Sequence, residues 1–128
     1  MPLLLDTGPF AMVLMNSPRL TKAARSRIVA ERSVSASVIS LYEIAQKVRL
    51  GKWDEVAHVV PRLEARSEAS GIEIVGLNAK LALDAALIDW PHRDPCDRMI
   101  AATAIDQNLA LVSPDAAFDS LGIDRVWD

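Results

Sequence analysis

Five carboxylates in this sequence stand where an apolar run begins or ends. Asp6 closes "PLLLD"; Glu43 lies in "SLYEIAQKVRLG"; Asp94 and Asp97 stand three apart in "WPHRDPCDRMIAATAI"; Asp115 follows "LALVSP". Each has a plain architectural reading. Asp6 fits the cap of a helix beginning at Gly8, Ser40 and Glu43 form a Ser-x-x-Glu capping box, and Asp115 fits the cap of "AAFDSL". Pro95 suits a first helical position, making Asp94 an N-cap and placing Asp97 among free backbone N–H groups. Gathered in one place, these groups would do something else. Two carboxylates about 4 Å apart repel by roughly 4 kcal/mol at an effective dielectric near 20. A cluster of Asp6, Glu43, Asp97 and Asp115 therefore calls for protons, water or a cation. Oxygen donors without a His/Cys set select Mg²⁺ or Mn²⁺ rather than zinc. Such an ion can acidify a water and offset charge developing on a phosphate, which matches phosphodiester hydrolysis. No nucleophile elbow, P-loop or GxGxxG supports acyl transfer or nucleotide cradling.

Whether the acids meet depends on the elements that carry them. The apolar run that Asp6 closes in residues 2–6 predicts a strand buried on both faces. A short helix follows from Gly8, and a second over 17–33 with Ser17 as cap and Pro18 as first residue. Residues 34–38 predict the second strand. Residues 40–51 predict an amphipathic helix with Leu41, Ile44, Ala45 and Val48 on one face, ending at Gly51. One charged helix spans 54–70 despite Pro61, then a strand 72–76, a helix 78–88, a helix from Pro95 to Gln107, a strand 109–113 and a weak edge strand 123–127. Strands alternating with helices imply right-handed crossovers and a mainly parallel sheet of four to five strands covered on both faces. In such sheets functional groups gather beyond the carboxyl ends of the strands. Asp6, Glu43, Asp97 and Asp115 all fall on that edge.

The bulk composition narrows the rest. The 128 residues include 51% hydrophobic ones, enough for a real core. With 14 basic and 17 acidic residues, net charge −3, general electrostatic attraction to nucleic acid is not available. Contact with RNA or DNA would need a local basic patch or a metal. The single cysteine, Cys96, excludes an intrachain disulfide and fits a reducing compartment. "MPLLLD" lacks a basic n-region, and no apolar run nears the about 18 residues that span a bilayer. The expectation is a soluble, cytoplasmic protein without membrane association.

Three stretches carry a family likeness. "LLLDTGPF", "SVSASVISLYEIAQKVRLGK" and "WPHRDPCDRMIAATAIDQNLALVSPDAAF" resemble the acid-bearing segments of PIN-domain ribonucleases, specifically VapC-type toxins of bacterial toxin–antitoxin pairs. The pattern "HRDPxDRMxxAxA" followed by "LxLVSxDxAF" is the specific part; about residues 53–75 carry none of it. The resemblance implies a single PIN-like domain over 1–128, an α/β/α three-layer sandwich, usually a homodimer, cleaving RNA with Mg²⁺ or Mn²⁺. It also implies an antitoxin of the VapB type that inhibits the enzyme, inserting a basic side chain toward the acids. Asp6, Glu43, Asp97 and Asp115 match the family's metal-site acids. Asp94, Thr7 and Ser113 match supporting positions, Ser113 standing where a Thr is frequent and able to orient Asp115 or a metal water. Cys96 replaces a frequent aromatic.

The remaining polar residues are ambiguous in sequence. Arg93, Arg98 and Lys47 are candidate phosphate contacts, with pairing to neighbouring carboxylates as the alternative. His92 beside Cys96 falls short of a zinc set; a general-base role competes with a solvent-facing one. Trp53, Trp90 and Trp127 show no base-stacking arrangement. A receiver domain would need an Asp after the third strand and a late Lys, and a haloacid-dehalogenase-type phosphatase a second Asp two beyond Asp6; neither is present. A DNA-directed nuclease of the same chemistry and a non-catalytic nucleic-acid-binding module remain the alternatives.

Overall fold

The computed structural model describes residues 1–128. Five strands form one sheet: β1 (Leu3–Leu5), β2 (Val34–Ser37), β3 (Ile72–Val75), β4 (Ala110–Val112) and β5 (Arg125–Val126). Their order is β3-β2-β1-β4-β5, and every neighbouring pair is parallel. Six α-helices surround it: α1 (Thr7–Leu14), α2 (Lys22–Ala30), α3 (Val38–Arg49), α4 (Leu63–Ala69), α5 (Ala79–Leu87) and α6 (Pro95–Gln107). Two 3₁₀ segments, Asp54–Arg62 and Ala116–Leu121, complete the chain.

The leucine run of β1 is continuous because both faces of the central strand are covered. Leu3 and Leu5 join Phe10, Leu14, Ala24, Ile44, Val56 and Leu63 in one core. Leu4, pointing the other way, packs with Trp90, Ile100, Ala104, Leu111 and Phe118. The sheet is thus the middle layer, as the strand–helix alternation predicts. The chain adds β2 and β3 on one side of β1, then returns to place β4 and β5 on the other. That reversal falls between β1 and β4, and it is beyond the carboxyl ends of strands at such a point that parallel sheets hold their functional groups.

Three local expectations are corrected. The second helix starts at Lys22, not at Pro18: Thr21 Oγ1 accepts the Ala24 N–H at 3.1 Å, while Ser17 Oγ serves a preceding turn through the Arg19 N–H. Residues 54–70 split into a 3₁₀ segment and α4, with Pro61, which has no N–H to donate, near the join. The third concerns Ser40. Ser37 caps α3 by accepting the Ile39 N–H, so Ser40 lies inside the helix and forms no capping box with Glu43. Its hydroxyl instead meets Thr7 Oγ1 at 2.8 Å, pinning α3 to α1 in the interior.

Candidate functional site

Each acid is held by local chemistry that sequence alone partly foretells. Asp6 is the N-cap of α1, its Oδ1 accepting the Thr7 N–H at 2.8 Å. Its Oδ2 accepts the Ser113 hydroxyl at 2.8 Å, and that same hydroxyl oxygen accepts the Asp115 N–H at 3.0 Å. Ser113 thereby joins the end of β1 to the loop after β4; it orients Asp6 by its hydroxyl and Asp115 through the backbone. Asp115 caps its 3₁₀ segment by accepting the Ala117 N–H at 2.9 Å. Asp94 caps α6, Oδ1 accepting the N–H groups of Cys96 and Asp97 at 2.8 and 3.2 Å. That leaves the Asp97 side chain free for other partners.

The structure brings Asp6, Glu43, Asp97 and Asp115 into one electrostatic neighbourhood. Burial raises the Asp6 pKa against the bonds from Ser113 and Thr7, and the charges of Glu43 and Asp115 raise it further. Asp97 is pushed up to about 6 by burial first, then by the charges of Asp6 and Asp94, with His92 opposing. Glu43, 8% exposed, is paired on one side only. Its Oε2 meets Lys47 Nζ at 3.0 Å, whereas its buried Oε1 has no hydrogen-bond partner. A buried carboxylate oxygen without a donor costs roughly 1–3 kcal/mol or more. A hard divalent cation ligated by carboxylate oxygens is the partner this donor set fits.

Two of the three basic candidates turn out to be occupied. Burial works against the Lys47 charge, but the bond to Glu43 and the charges of Glu43, Asp94 and Asp97 raise its pKa overall. Its ammonium also lies 5.6 Å from the Trp53 ring centroid. Lys47 is a counter-charge belonging to the acids. Arg98 is engaged by backbone carbonyls of its own chain. Nε donates to Ala85 O, Nη1 to Trp90 O and His92 O, and Nη2 to Ala86 O and Ile88 O, at 2.6–3.3 Å. A guanidinium has five N–H donors, and all five are spent. Arg98 fastens the end of α5 to the loop before α6. Arg93 alone is exposed with no ion pair or side-chain hydrogen bond.

Sequence reasoning undervalued His92. Its Nε2 lies 2.7 Å from Asp97 Oδ2, and ligating atoms of His92, Asp97 and Asp115 lie within 4.8 Å of one another. The only signal was its place just ahead of Asp94-Pro95. Cys96, by contrast, holds its proton: burial, then the charges of Glu43, Asp94 and Asp97, against Lys47, push the thiol up to about 11.

Residues 3–123 match the PIN domain. The chain belongs to the PIN-domain family. PIN domains are generally nucleases that use divalent metals, in keeping with the acidic cluster described above. Among solved structures, the fold of this PIN domain is similar to a chain of VapBC2 from Rickettsia felis bound to a promoter DNA fragment (18% identity, 100% of both chains, TM-score 0.71). It is similar also to a chain of DNA-bound VapBC from Salmonella typhimurium (21% identity, 98% and 96% of the two chains, TM-score 0.68). A toxin–antitoxin complex from Klebsiella pneumoniae aligns over 89% and 87% at 16% identity, TM-score 0.59. No curated protein gives a sequence match. No helix is long and apolar enough to cross a membrane.

Proposed function

We propose that this PIN domain is a VapC-type toxin: a Mg²⁺- or Mn²⁺-dependent endoribonuclease, cytoplasmic, homodimeric and inhibited by a VapB-type antitoxin. The observation that carries the nuclease reading is the electrostatic proximity of Asp6, Glu43, Asp97 and Asp115, with Glu43 Oε1 buried and unpartnered. The toxin reading rests on the family likeness of "HRDPCDRMIAATA" and on structural neighbours that are toxin–antitoxin assemblies.

In this reading Asp6, Glu43, Asp97 and Asp115 supply the oxygens that hold the ion. Such an ion supplies the acidity that makes water a nucleophile at neutral pH and offsets charge on the phosphate. The protein's share is position. Ser113 fixes Asp6 and the backbone of Asp115, Asp94 fixes the first turn of α6, and the Thr7–Ser40 pair holds α1 against the helix of Glu43. Arg93 is the exposed cation beside this edge that is available for a phosphate oxygen.

The test is purified protein incubated with total cellular RNA, and in parallel with single-stranded DNA, with Mg²⁺, Mn²⁺ or EDTA. RNA cleavage is expected with either metal, and none in EDTA. Asp6→Asn and Asp97→Asn are expected to abolish it while keeping a native circular dichroism spectrum. Full activity in either variant or in excess EDTA contradicts the mechanism; cleavage of DNA alone contradicts the substrate.

A further inference from the structure

We infer that His92 is a positioning residue of the acidic site, fixing which oxygen of Asp97 is left free for a cation. The inference rests on the metal-site reading above. The Asp94 N–H points to His92 Nδ1 at 3.4 Å, so Nδ1 carries a lone pair and the ring proton sits on Nε2. That Nε2–H donates to Asp97 Oδ2 at 2.7 Å. Oδ2 is thereby engaged and Oδ1 remains for ligation. Hydrogen bonds to ligating carboxylates orient them, and losing such a partner typically lowers metal affinity about 10–100-fold.

His92 is built in at three points, two through its ring and one through its backbone, unlike a loop histidine facing water. Its tip holds Asp97. Its ring stands edge-on to Trp90, centroids 4.7 Å apart at 69°. The backbone carbonyl of His92 accepts from Arg98 Nη1 at 2.8 Å. Trp90 is itself fixed: it is 7% exposed, lies 5.4 Å from the Phe118 ring and donates its indole N–H to Ala117 O. Ala117 also supplies the N–H that caps onto Asp115. One loop, clamped by Arg98, therefore sets Asp97 and the segment after Asp115 relative to each other.

The experiment is a Mn²⁺ titration followed by electron paramagnetic resonance on the wild type, His92→Ala, His92→Gln and Asp97→Asn, with metal-free circular dichroism as the check on folding. His92→Ala is expected to weaken Mn²⁺ binding about 10–100-fold. His92→Gln, whose amide N–H reaches a similar point, recovers most of that loss. Electron spin-echo spectra of the wild-type Mn²⁺ complex are expected to show no directly bound nitrogen. Wild-type affinity in His92→Ala beside lost binding in Asp97→Asn overturns the inference and leaves the metal site standing. A directly bound nitrogen also overturns it, making His92 a ligand. Unchanged binding in Asp97→Asn removes the metal site, and the role of His92 with it.

Discussion

Arg98 offers a sharp contest between two roles. As a phosphate contact it would matter to substrate and little to folding; as a clamp it would do the reverse. Its five N–H groups reach Ala85, Ala86, Ile88, Trp90 and His92, carbonyls at or beyond the last turn of α5. The final carbonyls of a helix lack intrahelical partners, so these bonds satisfy acceptors the helix cannot. Bonds to a charged donor contribute about 1.5–3 kcal/mol each, but the five share one half-buried guanidinium and water can replace some of them. We therefore expect Arg98→Ala to cost about 2–4 kcal/mol. For a domain of this size, each kcal/mol moves the thermal midpoint by about 3–5 °C, so the drop is about 6–20 °C. Arg98→Lys should recover only part, because an ammonium cannot span the fork. Thermal unfolding by circular dichroism reads the midpoint, and RNA cleavage read below the variant's midpoint gives KM. A wild-type midpoint with a raised KM would refute the clamp and return Arg98 to the substrate.

Three further outcomes follow from the site. Asp97, pushed up to about 6 from 3.8, binds its proton more tightly folded than unfolded. Stability of the metal-free protein is therefore greatest below pH 3.8 from this group and is lost as pH rises through 6. The full shift corresponds to about 3 kcal/mol, cut to about 1 by solvent access; chemical denaturation at pH 4.5 and 7.5 measures it, and Asp97→Asn should flatten the trend. Mg²⁺ at 100 times its Kd should stabilise the wild type by about 2.7 kcal/mol, and Glu43→Gln should lose most of that gain in thermal scans. Ser113→Ala leaves Asp6 Oδ2 without its donor and should cost about 1–3 kcal/mol in urea unfolding while weakening Mn²⁺ binding in the same titration.

Much of this arrangement is legible in the amino-acid order. A run of three leucines followed by an acid states both the burial of β1 and the place of Asp6, because strand periodicity and the edge rule act locally. Asp94-Pro95 announces its helix for the same reason, down to the cap bonds. The failures come where two local patterns compete or the partner is distant. Ser37 and Ser40 both suit an N-cap; the end of β2 favours Ser37, which frees Ser40 for Thr7, 33 positions away. Arg98 beside acids reads as a phosphate contact until the carbonyls 6–13 residues earlier fold back onto it. His92 stays ambiguous in sequence because its surroundings come from Trp90, Arg98 and Asp97 together.

The bond between Ser113 and Asp6 joins residues 107 positions apart. During synthesis, a nascent chain that has emerged only as far as β3 holds Asp6 and Glu43 but neither Asp97 nor Asp115. Its first strand still awaits β4, the neighbour on its other side. Fragments released by premature termination in this region would accordingly carry only two of the four acids of the site.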